Sequence, residues 1–562
     1  MKRPQRIRWL WLLAALAAIV AVAFAACDGD DGDGDGGPAV GDIQEGGEIT
    51  VRITEPESLD PHFSSFSVDI TIQQMIMRGL YDLLPGAVLR PAYAEDLPEI
   101  SDDGTVYTIK IKDGMTWANG ETLDANDFVF GIQRTCNPDN AGQYQYILSA
   151  DLGNLVGCDE YYAAVEASDE DKAALLDLVG VSAPDDLTLQ ITLGAPKATF
   201  QSILALWMTY PAPDEALASV DAPWPDPPDT PCNGPFCATV LTPGDSLVLE
   251  RNANWALEPT PHLDKITLRF IDDASVALRA YDAGELDMTR IGQTDLRLVR
   301  DRDDFFEQPL PITIALEYYI PDPVVGDENV RLALSRAIDR ETYAQVVFEG
   351  GVIPTTNWVP AEEPGANDLG IFEDIIGFDP EAAAAALADA GYPGGEGFPG
   401  VSLLIRDDAT EQAGAEFIQN SFREHLNIDM EIEVVDSQTR QERFNAGDFQ
   451  LVIGGWGHDY PDAENWLIGL FNTGASINQQ ECSDPDIDAA LESAGTEQDQ
   501  DTRFGFLREA ERLAVTTLCG YAPLYHRGNF YLISPDLLGV EPTLEDHFLP
   551  QFPENWGLAA TE

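Results

Sequence analysis

The spacing of apolar positions changes repeatedly along the chain. In residues 48–53, EITVRI, apolar and polar side chains alternate, which predicts a strand with one buried face. Residues 105–111, TVYTIKI, do the same. Asp124-Ala125-Asn126-Asp127 then forms the acidic start of a helix whose apolar positions Phe128, Val129 and Ile132 follow at helical spacing. Further on, VSLLI at 401–405, a helical pattern from Glu411 to Leu426, MEIEVV at 430–435 and LVIGGW at 451–456 repeat the order strand, helix, strand. Strands that alternate with helices predict α/β lobes with largely parallel sheets. At 562 residues, and about 150 per unit, three or four domain-sized units are expected.

The first residues follow a different pattern. Lys2, Arg3, Arg6 and Arg8 precede an apolar stretch from Trp9 to Ala26 that runs through small residues into Cys27. This is the layout of an export signal, here 1–26. Its end, Phe24-Ala25-Ala26-Cys27, resembles the lipobox of bacterial lipoproteins, in which the Cys is lipidated, although Phe24 stands where Leu is usual. An uncleaved anchor helix is the alternative. Residues 27–44, containing DGDDGDGDGG, read as a flexible hydrated tether. Asp31, Asp33 and Asp35 match part of a calcium loop, but no helix enters it and Pro38 interrupts its second half. Beyond the signal no run of about 20 apolar residues occurs that would span a membrane.

Charge narrows the partners. The chain carries 31 Lys and Arg against 98 Asp and Glu, a net of -67, and loss of residues 1–26 would make it -71. Such a field excludes a nucleic-acid partner. With 44% hydrophobic residues there is ample material for a core, so the acidity does not imply disorder. If Cys27 carries lipid, six Cys remain in an exported chain, and the short separations favour Cys136 with Cys158, Cys232 with Cys237, and Cys482 with Cys519. No CxxC pair, HExxH or His at ligand spacing supports a metal site, and no cofactor is expected.

Several blocks carry a resemblance. They are AEDLPEISDDGTVYTIKIKDGMTWANGETLDANDFVFGIQR at 94–134, LERNANW at 249–255, PHLDKITLRFIDDASVALRAYDAGELDM at 261–288, NVRLALSRAID at 329–339, GGWGHDYPDAENWLIGLFNTG at 454–474 and PLYHRGNFYLISP at 523–535. From about residue 45 to the end the chain resembles extracytoplasmic solute-binding protein family 5, the oligopeptide- and dipeptide-binding receptors of ABC transporters. The resemblance implies a class II periplasmic-binding-protein-like fold, α/β and two-lobed, with mixed sheets and an extra inserted domain. Lobe 1 would combine 45–85, 206–315 and 520–562 with the inserted domain 86–205, and lobe 2 would be 316–519. The lobes would close on ligand about a hinge. The protein would be a monomeric receptor without catalysis, held outside the cytoplasm by its lipid and delivering peptides to permease subunits.

In the peptide-binding members an Asp in the setting Trp456-Gly457-His458-Asp459 pairs with the α-ammonium of the bound peptide. Asp459 follows a strand-like segment, where open α/β sheets bind ligands. A fixed carboxylate would select a free amine, because burying an unpaired ammonium costs several kcal/mol. Trp456 and His458 adjoin that position, and Tyr318 and Tyr319 fall where the family lines its cleft with aromatics. Some relatives place an Arg six residues before the Asp to meet the peptide carboxylate; here that residue is Ile453.

Other readings compete. The same fold serves oligosaccharides and other solutes, and nickel or haem peptides in some relatives. Gly244-Asp245-Ser246-Leu247 spells an esterase motif, but the matching Asp-x-x-His is absent near Glu545-Asp546-His547, and Gly-Asp between strand-like segments is a turn former. The glycine cluster at 391–400 follows a helix instead of opening one, so it reads as a loop and not a phosphate cradle.

Overall fold

The computed structural model describes residues 43–560 apart from 65, 85–87, 141, 151, 215, 218, 293–294, 476, 498 and 542–547. The export segment and Cys27 lie outside the described residues.

The chain enters a large sheet through β1 (Glu48–Ile53) and then leaves it. Segment 86–205 contains β2 (Val106–Lys110), helix α1 (Ala125–Thr135) and β3 (Thr188–Thr192), with β2 and β3 at the centre of a separate four-stranded antiparallel sheet. The α1 start is a reciprocal cap: Asp124 accepts from the helix backbone, and the Asp127 side chain accepts from the Asp124 N–H. Back in the large sheet, β4 (Phe236–Thr242), β5 (Ser246–Arg251) and β6 (Lys265–Phe270) form an antiparallel meander, and β7 (Met288–Arg290) joins the other side of β1.

A 14-residue strand, β8 (Phe305–Tyr318), carries the chain to the second lobe. There β9 (Val401–Arg406), α2 (Ala409–Leu426), β10 (Met430–Val435), α3 (Ser437–Asn445), β11 (Leu451–Gly457) and α4 (Ala463–Phe471) follow in turn. The 13-residue β12 (Tyr521–Ile533) brings it back. Among the described residues these strands lie in one eleven-stranded sheet, in the order β10-β9-β11-β8-β12-β7-β1-β6-β5-β4, with the short Ile353–Pro354 strand beside β12.

The sheet is mixed, as the resemblance implies, and not largely parallel as the alternation of strands and helices suggests. β1 is parallel to β6 and β7, and β9 is parallel to β10 and β11, as crossovers through helices require. The β4–β5–β6 meander and the return strands β8 and β12 pair antiparallel. β8 and β12 pair at both ends, but their register shifts between Pro309↔Gly528 and Thr313↔His526. Pro309 and Pro311 have no N–H to donate, so the ladder is interrupted there. The expected boundaries 315/316 and 519/520 fall inside β8 and just before β12.

Part of the acidity has a local purpose. Asp124, Asp273, Asp327, Asp339, Asp379, Asp408, Asp436, Asp462, Asp484 and Asp499 each cap a helix by accepting backbone N–H groups. Each such cap stabilises by about 1 kcal/mol and places negative charge at the positive end of the helix dipole. Disulfides join Cys136 to Cys158, Cys232 to Cys237 and Cys482 to Cys519.

Candidate functional site

β11 ends at Gly457, and the turn after it, capped into α4 by Asp462, presents Asp459 to a cavity of about 520 Å³. That size lies in the range of small-molecule sites, about 300–1,000 Å³. Asp459 is held from two directions. Tyr146, in the 3-10 turn Gln143–Leu148 of the inserted segment, donates its hydroxyl to Oδ2 at 2.7 Å. Asn465 of α4 donates from Nδ2 to the same oxygen at 3.0 Å, while its own Oδ1 accepts from the Asp459 N–H (2.9 Å) and the Trp456 indole (3.2 Å). Both side-chain donors fall on Oδ2, and among the described residues none donates to Oδ1. Burial pushes the Asp459 carboxyl above its ordinary value; Tyr146, Asn465 and His458 pull it partly back.

The inserted segment touches the same neck of lobe 2 elsewhere. Thr199 donates to Glu464 Oε2 at 3.3 Å, and Lys197 Nζ lies 3.8 Å from Oε1. Arg503 holds Glu464 at 2.6 Å and Asp462 at 2.7 Å, fixing the first turn of α4.

Along β11 from Asp459, at Gly454, the wall changes character. Glu317 of β8 reaches over this glycine, where a Cβ would collide with Glu317 Oε1 and come within 3.2 Å of Arg440 Nη2. Gln480 donates to Glu317 and accepts from the Tyr521 hydroxyl at 2.7 Å. Burial raises the Glu317 carboxyl to about 7, against the lowering influence of Arg440 and Gln480. Arg440, on α3, donates from Nη2 to the Ile453 carbonyl at 3.0 Å and lies 4.8 Å from the Phe444 ring centre.

The structure sorts the expected residues. Asp459 and Trp456 line the cavity together. His458 does not: its side chain is buried with Nδ1 2.6 Å from Glu363 Oε1, and it borders only a 30 Å³ space beside Arg78. Tyr318 is corrected to the core, fully buried, with its hydroxyl toward the Arg331 carbonyl. Strand alternation turns Glu317 to the cavity and Tyr318 to the opposite face. Tyr319, beyond the end of β8, packs on Phe449 and donates to Glu481 at 3.0 Å, away from the cavity. Sequence reasoning missed Tyr144, Tyr146, Glu317, Arg440, Gln480 and Tyr521, all of which line it. Alternation in Thr313, Ala315, Glu317 could have found Glu317; nothing local marks Arg440 or Tyr146.

The competing motifs stay apart from this site. Gly244 occupies a positive φ of 73° in the β4–β5 hairpin, and Ser246, the first residue of β5, donates to its neighbour Asp245 at 2.8 Å. His547 lies outside the described residues. Among the described residues no group of three or more His, Cys, Asp and Glu could hold a metal ion.

Comparison with known proteins agrees with this architecture. Residues 88–478 match the model of the bacterial extracellular solute-binding proteins, family 5 (middle region). The oligopeptide-binding protein of Bacillus subtilis is 25% identical over 507 residues, covering 88% of this chain and 90% of that protein. A probable deoxycholate-binding periplasmic protein of Escherichia coli is 26% identical over 494 residues, covering 86% and 88%. The crystal structure of a periplasmic oligopeptide-binding protein from Borrelia burgdorferi superposes with a TM-score of 0.74 at 26% identity, over 91% of this chain and 99% of that one. The match over residues 88–478, more than half of the chain, identifies a solute receptor. The chain belongs to the bacterial extracellular solute-binding proteins of family 5, binding proteins and not enzymes.

Proposed function

We propose that this receptor captures short peptides by their free amino end and delivers them to an ABC permease from a lipid anchor at Cys27. The observation that carries the reading is Asp459: a buried carboxylate on the cavity wall, fixed through Oδ2 and with Oδ1 left for a ligand cation. An ammonium there would complete a charge-assisted pair in a desolvated place. A sphere of 520 Å³ is ~10 Å across, the length of about three extended residues. The peptide reading draws on the Bacillus and Borrelia relatives. Deoxycholate has no ammonium for Asp459, and a sugar would not need that carboxylate.

Closure would bring the inserted segment onto lobe 2 about the broken ladder at Pro309–Pro311, and the Tyr146–Asp459 bond would form only when the lobes meet. Native mass spectrometry of the protein as purified tests the ligand class. Bound masses of two- to four-residue peptides are expected, and an oligosaccharide or sterol mass would overturn the reading. For the anchor, Cys27→Ser is expected to leave the membrane fraction; identical fractionation of variant and parent would refute lipidation.

A further inference from the structure

The three disulfides are not equivalent. Cys136, Cys158 and Cys482 are fully buried, and Cys519 is 7% exposed. Cys237, at the start of β4, is only half-buried. Together with Cys232 it borders a cavity of about 360 Å³ walled by Trp117, Pro213, Pro228 and Pro231, which shares no lining residue with the cavity at Asp459. Thiol exchange requires an external thiolate to reach a sulfur, and here the cavity gives it an approach. The bridge also closes the shortest loop, its half-cystines 5 residues apart against 22 and 37. A short loop constrains the unfolded chain least, so opening it removes the least stability. Cys232 Sγ lies 3.2 Å from the Phe236 carbonyl oxygen, so a thiol formed there has an acceptor for its proton.

The loop grips a distant part of the chain. Asn233, fully buried between the two half-cystines, accepts the Arg78 N–H on Oδ1 at 3.0 Å and donates from Nδ2 to the Arg78 carbonyl at 2.9 Å. Gly234 donates to the Ile76 carbonyl at 2.9 Å and lies so close that a Cβ on it would stand 2.4 Å from the Ile76 carbonyl carbon. Arg78 itself bonds Asp82 at 2.6 Å and Glu554 at 2.9 Å, and it borders the same 30 Å³ space as His458 and Asp459. The disulfide thus closes a clamp on the backbone of a residue that adjoins the Asp459 turn.

We infer that Cys232–Cys237 is a thiol-exchange site, through which an external dithiol releases the clamp on Ile76 and Arg78. A thiolate of the dithiol attacks Cys237 Sγ, the S–S bond breaks, and Cys232 leaves as a thiolate that takes up a proton. The second thiolate of the dithiol then displaces Cys237, which is protonated in turn. The protein gains two electrons and two protons, and the dithiol ends as a disulfide. None of this depends on which ligand the receptor carries.

The test is mass-spectrometric mapping of newly alkylated cysteines in the native parent, with dithiothreitol as the small dithiol and reduced thioredoxin as the protein dithiol. Cys232 and Cys237 are expected to react at about tenfold lower reductant than Cys136, Cys158, Cys482 and Cys519, with the circular dichroism spectrum retained. The faster of the two reductants assigns the source of the dithiol. Reduction of all three bridges together, or of another bridge first, would overturn the site. Hydrogen exchange then reads the clamp: the Arg78 and Gly234 amides should exchange at least about tenfold faster in the selectively reduced parent, and in the double variant Cys232→Ser, Cys237→Ser, than in the oxidised parent. Unchanged protection in the reduced parent would overturn the release, whether or not the double variant folds.

Discussion

At one end of the cavity Asp459 takes hydrogen bonds from Tyr146 and Asn465, which approach from the inserted segment and from α4; at the other, Arg440 and Glu317 share a wall over Gly454 without closing into an ion pair. The first arrangement fixes a charge and leaves one oxygen unoccupied. The second leaves a cation and a half-titrated acid with capacity to spare. Preorganised charge favours one ligand group at low reorganisation cost, whereas loosely compensated charge tolerates variation. On the proposed reading, the Asp459 end would be the one that is strict about an amine.

Three substitutions would break or sharpen that contrast. The largest effect is expected for Asp459→Ala, which leaves a peptide ammonium desolvated and unpaired. Affinity should fall by about 2–5 kcal/mol, or about 30-fold to several-thousand-fold, with the melting curve retained; calorimetry and circular dichroism check the two parts.

Glu317→Gln comes next and acts on stability. The folded carboxyl titrates at about 7 against an ordinary 4.5, so the folded state holds its proton more tightly than the unfolded chain does. Its stabilising contribution is complete below about pH 4.5 and is lost as pH rises to about 7, a change of up to about 3 kcal/mol. Glu317→Gln removes that slope, so relative to the parent it should gain stability between pH 5 and pH 8. Urea unfolding of both proteins at the two pH values reads the difference; a parallel dependence would show that Glu317 does not titrate there.

Tyr146→Phe should have the smallest effect. It deletes one hydrogen bond to a carboxylate, about 1.5 kcal/mol or roughly tenfold in peptide affinity. Because that bond joins the inserted segment to lobe 2, the variant should also be more expanded without ligand, measurable by small-angle scattering.

What the sequence made legible follows from the range of the interactions involved. β1 and β10 match their expected spans because alternation and β-branched content are local signals. The helix after Asp124 begins where expected because the cap is chemistry within four residues. Strand direction was less legible: pairing β8 with β11 and β12 joins positions more than 130 residues apart in the chain. Asp459 is singled out through the family resemblance of the contiguous block around Trp456-Gly457-His458-Asp459; without that block it reads as a surface turn acid. Tyr146 lies 313 residues from the carboxylate it touches, and the arrival of Arg440 at the Ile453 carbonyl depends on how α3 sits at the sheet edge. The neighbours Glu317 and Tyr318 show the cost of ignoring the period of two, since a one-residue displacement moves a side chain from cavity to core.

The central claim is that Asp459 pairs with the ligand's α-ammonium. It is tested most directly by titrating the parent and Asp459→Ala with a tripeptide and its N-acetylated form. The account predicts that acetylation weakens the parent about as much as the substitution does, and that acetylation costs the variant little more, because both changes delete one interaction. Undiminished binding of the acetylated peptide by the parent, or losses that simply add, would contradict it.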